Sequence, residues 1–511
     1  MRTTCTVVTA ALTIVFHAAP LLAANERLNV LIIVSDDHRN DAYGAFGGQV
    51  ARTPQLDHLA ADGVRFERAY CNSPMCTPSR QSFLTGRYPH ALGVTMLRHR
   101  LADFPHVTLA QRLHEAGYRT GAFGKMHFNS NERHGFEVHR TPHEFWATHA
   151  RRPADRPLPK GVAIMPPWRP FKDPARIWLN GIYRPVGRYD DEMPATWYVR
   201  HAVEFMRAHK DEPFFVQVGF HQPHSPFQFP VEFRNRIDPE QLTPPLIGPE
   251  DVPQIPKEFL ELTYGEKQRI RASYYTAVEY LDTKVGELLK ALDDLGLADR
   301  TLVVYLGDHG YHLGEHGRFE KHCFYERVVR APLVMRLPRA IPAAQASQAL
   351  VEFVDIVPTV LDYLNVPAEA DAPAPAGLHG HSLRPLIEGK VAAVRDAVFS
   401  EYQPTNEAMV RTDRWKLIYR SAHGVTNWMG YEPVLPPTQG RVVRLYDLEK
   451  DPEEFRNLAA DPRYTKTVRD LLGRLADWYR RYPPYRPDAA SPKAVLDDAI
   501  PPVNVPGHDT P

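Results

Sequence analysis

Four apolar runs in the chain each stop at a polar turn. Asn29 to Val34 is unbroken by charge and rich in β-branched residues, the pattern of a strand buried on both faces. It ends at Ser35-Asp36-Asp37-His38. Thr301 to Leu306 repeats the design and ends at Gly307-Asp308-His309-Gly310. Pro213 to Gly219 ends at Phe220-His221-Gln222-Pro223-His224, and Arg119 to Phe123 ends at Gly124-Lys125-Met126-His127. Helical spacing lies between these runs. Thr53-Pro54 reads as N-cap and first helical residue before Leu56 and Leu59, with Gly63 as the stop. Thr108 opens a helix that Gly117 closes, Pro194 to Lys210 forms another, and about Glu266 to Gly296 forms the longest. Alternating strands and helices predict an α/β sandwich with a largely parallel central sheet. Ligands in such sheets bind at the carboxyl ends of the strands, where the polar turns fall.

Between about Glu137 and Lys257 the chain is rich in Pro and Arg, which predicts long loops shaping a cleft. Near Arg395 the pattern changes. Ala397 to Tyr402, Ala408 to Tyr419 with a turn at Thr412-Asp413, and Leu445 to Leu448 read as antiparallel strands before a helix from about Tyr464 to Tyr482. The expected organisation is a leader (1–24), an α/β domain (25–394), a small α+β lobe (395–482) and a Pro-rich tail (483–511).

Arg2, the apolar stretch Val7 to Phe16 and the small residues Ala23-Ala24 read as a signal peptide, so export to the periplasm or beyond is expected. No later run is long enough to span a bilayer. Lys+Arg 61 balances Asp+Glu 61, which leaves no net pull toward nucleic acid or anionic membrane. After the leader, Cys71, Cys76 and Cys323 remain, an odd number in which at least one thiol is unpaired. Oligomeric state leaves no mark in the sequence.

Asp36-Asp37 places two carboxylates side by side at a strand end, where they repel unless protons or a cation neutralise them. Asp308-His309 stands at the matching place on another strand. Together they make an oxygen-rich set suited to Ca²⁺ or Mg²⁺ rather than zinc. In Cys76-Thr77-Pro78-Ser79-Arg80, Thr77 and Pro78 read as N-cap and first residue of a helix, which puts Cys76 at a helix N-terminus that favours anions and a reactive thiol. A thiol phosphatase is excluded, because it needs C-x₅-R and this segment is C-x₃-R.

That segment resembles the C-x-P-S-R signature of type I sulfatases of the alkaline phosphatase superfamily. Asp36-Asp37, Gly86-Arg87-Tyr88-Pro89, Gly124-Lys125-Met126-His127, His221-Gln222-Pro223-His224, Gly307-Asp308-His309-Gly310, Glu320-Lys321 and Leu445-Tyr446-Asp447-Leu448 follow in the expected order. The resemblance implies an alkaline-phosphatase-like α/β/α sandwich and sulfate ester hydrolysis. It implies that a maturation enzyme oxidises Cys76 to formylglycine, the nucleophile as its hydrate. Asp36, Asp37, Asp308, His309 and the residue derived from Cys76 would hold calcium, with magnesium as the other option. Arg80 would orient the aldehyde hydrate, Lys125 and Lys321 would grip sulfate, His127 would stand beside the formylglycine hydroxyl, and His221 would protonate the leaving alcohol. Many members carry Asn at the place of His309, and a subset including iduronate-2-sulfatase-like enzymes carries His. The Lys-Met-His-Phe form of the second motif is similar to choline sulfatases and some glycan sulfatases.

His38 and His224 are candidates either for substrate contact or for capping their turns. Arg39, Arg98, His99 and Arg100 are basic neighbours of the motifs and candidate contacts for an anionic glycan. The expected substrate is a sulfated carbohydrate or a small sulfate ester. The alternatives are a phosphonate or phosphate monoester hydrolase of the same superfamily, and a secreted glycan-binding protein without turnover.

Overall fold

A strand apolar at every position must send alternate side chains into two different cores, and strand β1 (Asn29–Asp36) does so. Val30, Ile32 and Val34 enter one core, while Leu31 and Ile33 enter the other. Each is fully buried, worth about 1.5–3 kcal/mol per side chain. The computed structural model describes residues 27–149, 156–167, 169, 172–368, 377–420 and 442–485. The expected leader and the tail beyond 485 lie outside the described residues.

The remaining strands of the central sheet are β2 (Val64–Tyr70), β3 (Arg119–Gly124), β4 (Val138–Arg140), β5 (Phe214–Pro223), β6 (Thr301–Gly307), β7 (Leu333–Arg336) and β8 (Gln345–Glu352). The eight run in the order β4-β3-β5-β1-β6-β7-β2-β8. β7 alone runs against the others. The four predicted strands are therefore the contiguous centre, β3-β5-β1-β6, with their carboxyl ends side by side. β2, β4, β7 and β8 escape the apolar-run reading because β2 interleaves Arg65, Glu67 and Arg68, β8 starts polar, and β4 and β7 are short.

Helices cover both faces. α1 (Pro54–Ala61), α4 (Pro194–Ala208) and the second half of α5 (Tyr264–Asp294) pack on the Leu31 face, whereas α2 (Cys76–Thr85), α3 (Leu109–Glu115) and α6 (Ile356–Tyr363) pack on the Val30 face. The architecture is thus an α/β/α sandwich. Thr108 caps α3 by accepting from Gln111 N at 3.0 Å, while its own N–H donates to the Gln111 side chain at 2.8 Å. Thr53 precedes α1 as expected, but its hydroxyl accepts from Gly44 N instead, and Asp282 of α5 accepts from Gln55 N and Leu56 N in its place.

A separate antiparallel sheet, β9 (Val398–Tyr402), β10 (Glu407–Arg411), β11 (Trp415–Arg420) and β12 (Val442–Asp447), forms the second layer system. Helix α7 (Thr465–Arg481) covers it with Leu471, Leu472, Leu475 and Trp478. Fully buried Lys416 of β11 joins this lobe to the α/β core: its ammonium lies 2.8 Å from Glu326 Oε1, from Glu454 Oε1 and from the Phe324 carbonyl. Cys71, Cys76 and Cys323 are free thiols, and burial pushes Cys323 up to about 12, leaving it inert. Among the described residues no helix is long and apolar enough to cross a membrane.

Candidate active site

The four central strands deliver their polar turns to one place. Asp36 and Asp37 end β1, Asp308 follows β6, Lys125 follows β3, and His221 and His224 come from the end of β5. Helix α2 brings in Cys76. The helix begins two residues earlier than the sequence suggests, with Cys76 itself as the first helical residue and Met75 at the N-cap position. The reason is that Thr77 does not cap: its hydroxyl donates to the Leu97 carbonyl at 2.7 Å. Cys76 remains at the helix N-terminus.

The sulfur of Cys76 is the meeting point. It lies 2.9 Å from Lys321 Nζ, 3.3 Å from His309 Nε2 and 3.4 Å from Asp36 Oδ1, and it interacts with the His127 ring. Burial raises the thiol pKa, but Lys125, Lys321 and His309 outweigh it and hold the group well below the ordinary thiol range. Arg80, one turn into α2, donates through Nε to Asp308 Oδ2 at 2.8 Å, through Nη1 to the Lys125 carbonyl at 2.6 Å and through Nη2 to the Ser35 carbonyl at 3.3 Å. It ties three of the strand ends together. Lys321 also contacts Asp37 Oδ1 at 2.6 Å, and Lys125 pairs with Asp36.

Asp36, Asp37 and Asp308 are all fully buried. Burial and Asp36 push Asp308 up to about 6. Burial and Cys76 raise Asp36, yet Lys125, His224 and Arg80 bring it below the usual carboxylate range. Asp37 Oδ2 is buried with no hydrogen-bond partner. Three buried carboxylates and an orphaned oxygen form a donor set that fits a hard divalent cation. Two groups have the geometry to hold one, Asp36-Asp37-Cys76-His224 and Asp36-Cys76-Asp308-His309, each with ligand atoms within 4.8 Å of one another. His309 Nδ1 lies 3.0 Å from the Gly310 carbonyl, which can only accept, so Nδ1 carries a proton and Nε2, facing the Cys76 sulfur, is the nitrogen that would ligate.

Burial and Lys125 push His221 down to about 3, and burial brings His127 to about 4 despite its bond to Cys76. His224 is raised, because Asp37 outweighs burial, and its Nε2 stands 4.0 Å from Asp37 Oδ2. His38 is not brought to the site. It is fully buried beneath it, with Nδ1 2.6 Å from the Tyr305 hydroxyl and its ring stacked on Tyr43. The positive φ of 65° at Asp37 turns the chain there, and His38 drops into the core. Arg39 is likewise buried, paired with Asp41 and Glu315 rather than facing a glycan.

Three neighbours of the site hold it in place without having been given a role by the sequence. Tyr274 of α5 donates to the Asp37 carbonyl at 2.7 Å and accepts from Arg39 N at 3.0 Å, holding the β1 turn. Ser79 donates to the Asp308 carbonyl at 2.5 Å. Gln81 donates to the Met126 and His127 carbonyls. Tyr274 lies in the apolar stripe of a long helix and reads there as core.

The family model described as Sulfatase matches residues 28–366. The chain belongs to the sulfatase family. A model described as N-sulphoglucosamine sulphohydrolase, C-terminal, matches residues 314–481 of this sulfatase. Its relatives include the choline-sulfatase of Rhizobium meliloti, 30% identical over 85% of this chain and 83% of that protein. The arylsulfatase of Clostridium perfringens is 28% identical over 86% and 92% respectively, and the mouse iduronate 2-sulfatase is 30% identical over 71% and 68%. Among solved structures, the phosphonate monoester hydrolase of Agrobacterium radiobacter shares the fold with a TM-score of 0.72, at 23% identity over 89% of this chain and 96% of that one. A structure described as a 2-O GAG sulfatase does so with a TM-score of 0.62, at 23% identity over 89% and 93%. This sulfatase is a sulfuric ester hydrolase of alkaline-phosphatase-like architecture.

Proposed function

We propose that this sulfatase is exported, that Cys76 is converted to formylglycine by a maturation enzyme, and that with calcium bound it removes sulfate from a sulfated carbohydrate or small alcohol. The observation that carries the reading is the convergence of Lys321, His309 and Asp36 on the Cys76 side chain, within 2.9–3.4 Å. The formylglycine hydrate would supply a hydroxyl nucleophile, and calcium would supply divalent charge to offset that of the sulfate. Asp36, Asp37, Asp308 and the Nε2 of His309 would hold the ion, with magnesium the lesser fit for so many fixed ligands.

The chain's own residues divide the remaining work. Lys125 and Lys321 flank Cys76 with positive charge and stabilise the sulfate oxygens as charge moves onto them. Arg80 fixes Asp308 and the Lys125 backbone, so both sides of the nucleophile keep their geometry. His221 protonates the leaving alcohol. It is neutral beside Lys125, and an arriving sulfate anion offsets that lysine and favours the protonated ring. His127, next to residue 76 and kept neutral by burial, is placed to accept a proton. His224 beside Asp37 is placed to contact substrate or ion. The names of the relatives cover arylsulfatase, choline-sulfatase, iduronate 2-sulfatase and N-acetylglucosamine-6-O-sulfatase, which supports a saccharide or small-alcohol ester and leaves the choice to assay.

The test is turnover of matched aryl sulfate, phosphate and phosphonate esters by protein co-expressed with a formylglycine-generating enzyme, with the mass of the Cys76 peptide measured alongside. Sulfate preference with a modified Cys76 is expected. Phosphate or phosphonate preference by orders of magnitude, or full activity with an unmodified thiol, overturns the reading. Tight glycan binding without turnover by the modified, calcium-loaded protein would indicate a binding protein instead.

A further inference from the structure

We propose that Gln81 is a positioning residue for the sulfatase reaction, its side-chain amide fixing the backbone turn that carries Lys125 and His127 against residue 76; this rests on the function proposed above. Gln81 follows Arg80 on α2 and is fully buried. Its Nε2 donates to the Met126 carbonyl at 3.1 Å and to the His127 carbonyl at 3.0 Å, which uses both amide hydrogens. Arg80 Nη1 donates to the Lys125 carbonyl at 2.6 Å. Three successive carbonyls are thus held by two successive side chains of the helix that begins with Cys76.

The turn needs this hold. His127 sits at φ 65°, a left-handed conformation that a non-glycine residue adopts only where its surroundings impose it. The other side of the turn rests on Gly219, whose carbonyl accepts from Lys125 N at 2.7 Å and which has no room for a side chain, since a Cβ would stand 2.1 Å from the Lys125 oxygen. The Nδ1 of the His127 ring is buried without a hydrogen-bond partner, and the ring's bond is to Cys76, the residue it serves, so no third side chain holds it from behind. Its aim therefore comes from the backbone, and Gln81 is what grips that backbone from the nucleophile's side. The Oε1 of Gln81 is itself buried without a partner. A core position filled only for packing would take an apolar side chain, so the amide is present for its two donors.

The decisive variant is Gln81→Met, which keeps length and volume and removes both donors. On an activated aryl sulfate, kcat is expected to fall at least roughly tenfold with KM within about twofold, since displacement of a reacting group by a fraction of an ångström is felt in the transition state. The crystal structure of the variant should show residues 125–127 displaced while α2 stays in place. In a His127→Ala background the same substitution should have less than about a twofold further effect, because Arg80 still holds the Lys125 carbonyl and the ring that the Gln81 contacts aim is gone. If Gln81→Met does not fold, Gln81→Glu, of the same shape, gives the same readings. A kcat within twofold of wild type, an undisturbed turn, or an equal loss in both backgrounds overturns the proposal. Wild-type protein inert toward aryl sulfate would instead count against the sulfatase mechanism, which separates the two failures.

Discussion

Arg80 and Asp308 face each other across 2.8 Å with both side chains closed off from solvent, and this pair links the helix bearing Cys76 to the end of β6. Removing one partner of such a pair leaves an uncompensated buried charge. Arg80→Ala should destabilise the protein by about 3–5 kcal/mol and abolish turnover. Arg80→Lys keeps the charge but not the planar fork that also reaches the Lys125 and Ser35 carbonyls, so it should fold and lose at least roughly a hundredfold in kcat. Urea unfolding and kcat measured on both variants test this.

Calcium should stabilise the protein measurably. At 100 times its dissociation constant a bound ion adds about 2.7 kcal/mol, seen as a rise in Tm on calcium addition and its reversal by chelator. Asp37→Asn and Asp308→Asn should each remove most of that shift. A calcium-dependent Tm that survives both substitutions would take these carboxylates out of the ion site.

Acid should weaken the fold through buried histidines that are not among the groups touching Cys76. Burial brings His134, His139 and His312 to about 4 from an ordinary 6.5. The folded protein therefore binds fewer protons than the unfolded chain in this window, so stability is full above about pH 6.5 and declines as pH falls toward 4. Urea midpoints at pH 7.5, 6, 5 and 4.5 should fall in that order. His312→Phe, at a ring whose Nδ1 comes no nearer than 3.8 Å to Glu315 and whose Nε2 is buried without a hydrogen-bond partner, should flatten the slope.

His38 belongs to the core, and its substitution should say so. His38→Phe loses the bond to Tyr305 and should cost about 1–3 kcal/mol of stability with substrate KM within about twofold. A large change in KM at unchanged stability would return His38 to the substrate.

The central strands and the residues at their ends were legible because a doubly buried strand needs an unbroken apolar run, and its termination by Asp or His then stands out. What stayed illegible depends on distance across the fold. Whether His38 turns toward the site or away is decided by the left-handed Asp37 before it, and Thr77 fails to cap because the Leu97 carbonyl competes for its hydroxyl. Tyr274 serves the site from a position that periodicity assigns to packing, and Gln81 is a single polar residue in a helix whose sequence does not say where its amide points. Strands away from the sheet centre such as β2 and β8 mix polar residues with apolar ones, so their pattern alone does not announce them.

Lys416→Met should be among the most damaging changes remote from Cys76, because it leaves Glu326 and Glu454 buried opposite each other, a loss of about 3–5 kcal/mol by unfolding.

That anchor has a wider implication. Glu326 lies only five positions downstream of Lys321, and the stretch between them is tethered to the second sheet by Lys416 both at its Phe324 carbonyl and at its Glu326 end. The smaller lobe is therefore a strut for the ammonium beside Cys76 rather than an appendage. A chimera that exchanges this lobe for a homologue's without its lysine would inherit a loosened Lys321, and grafts meant to change substrate preference will need to carry the strut along.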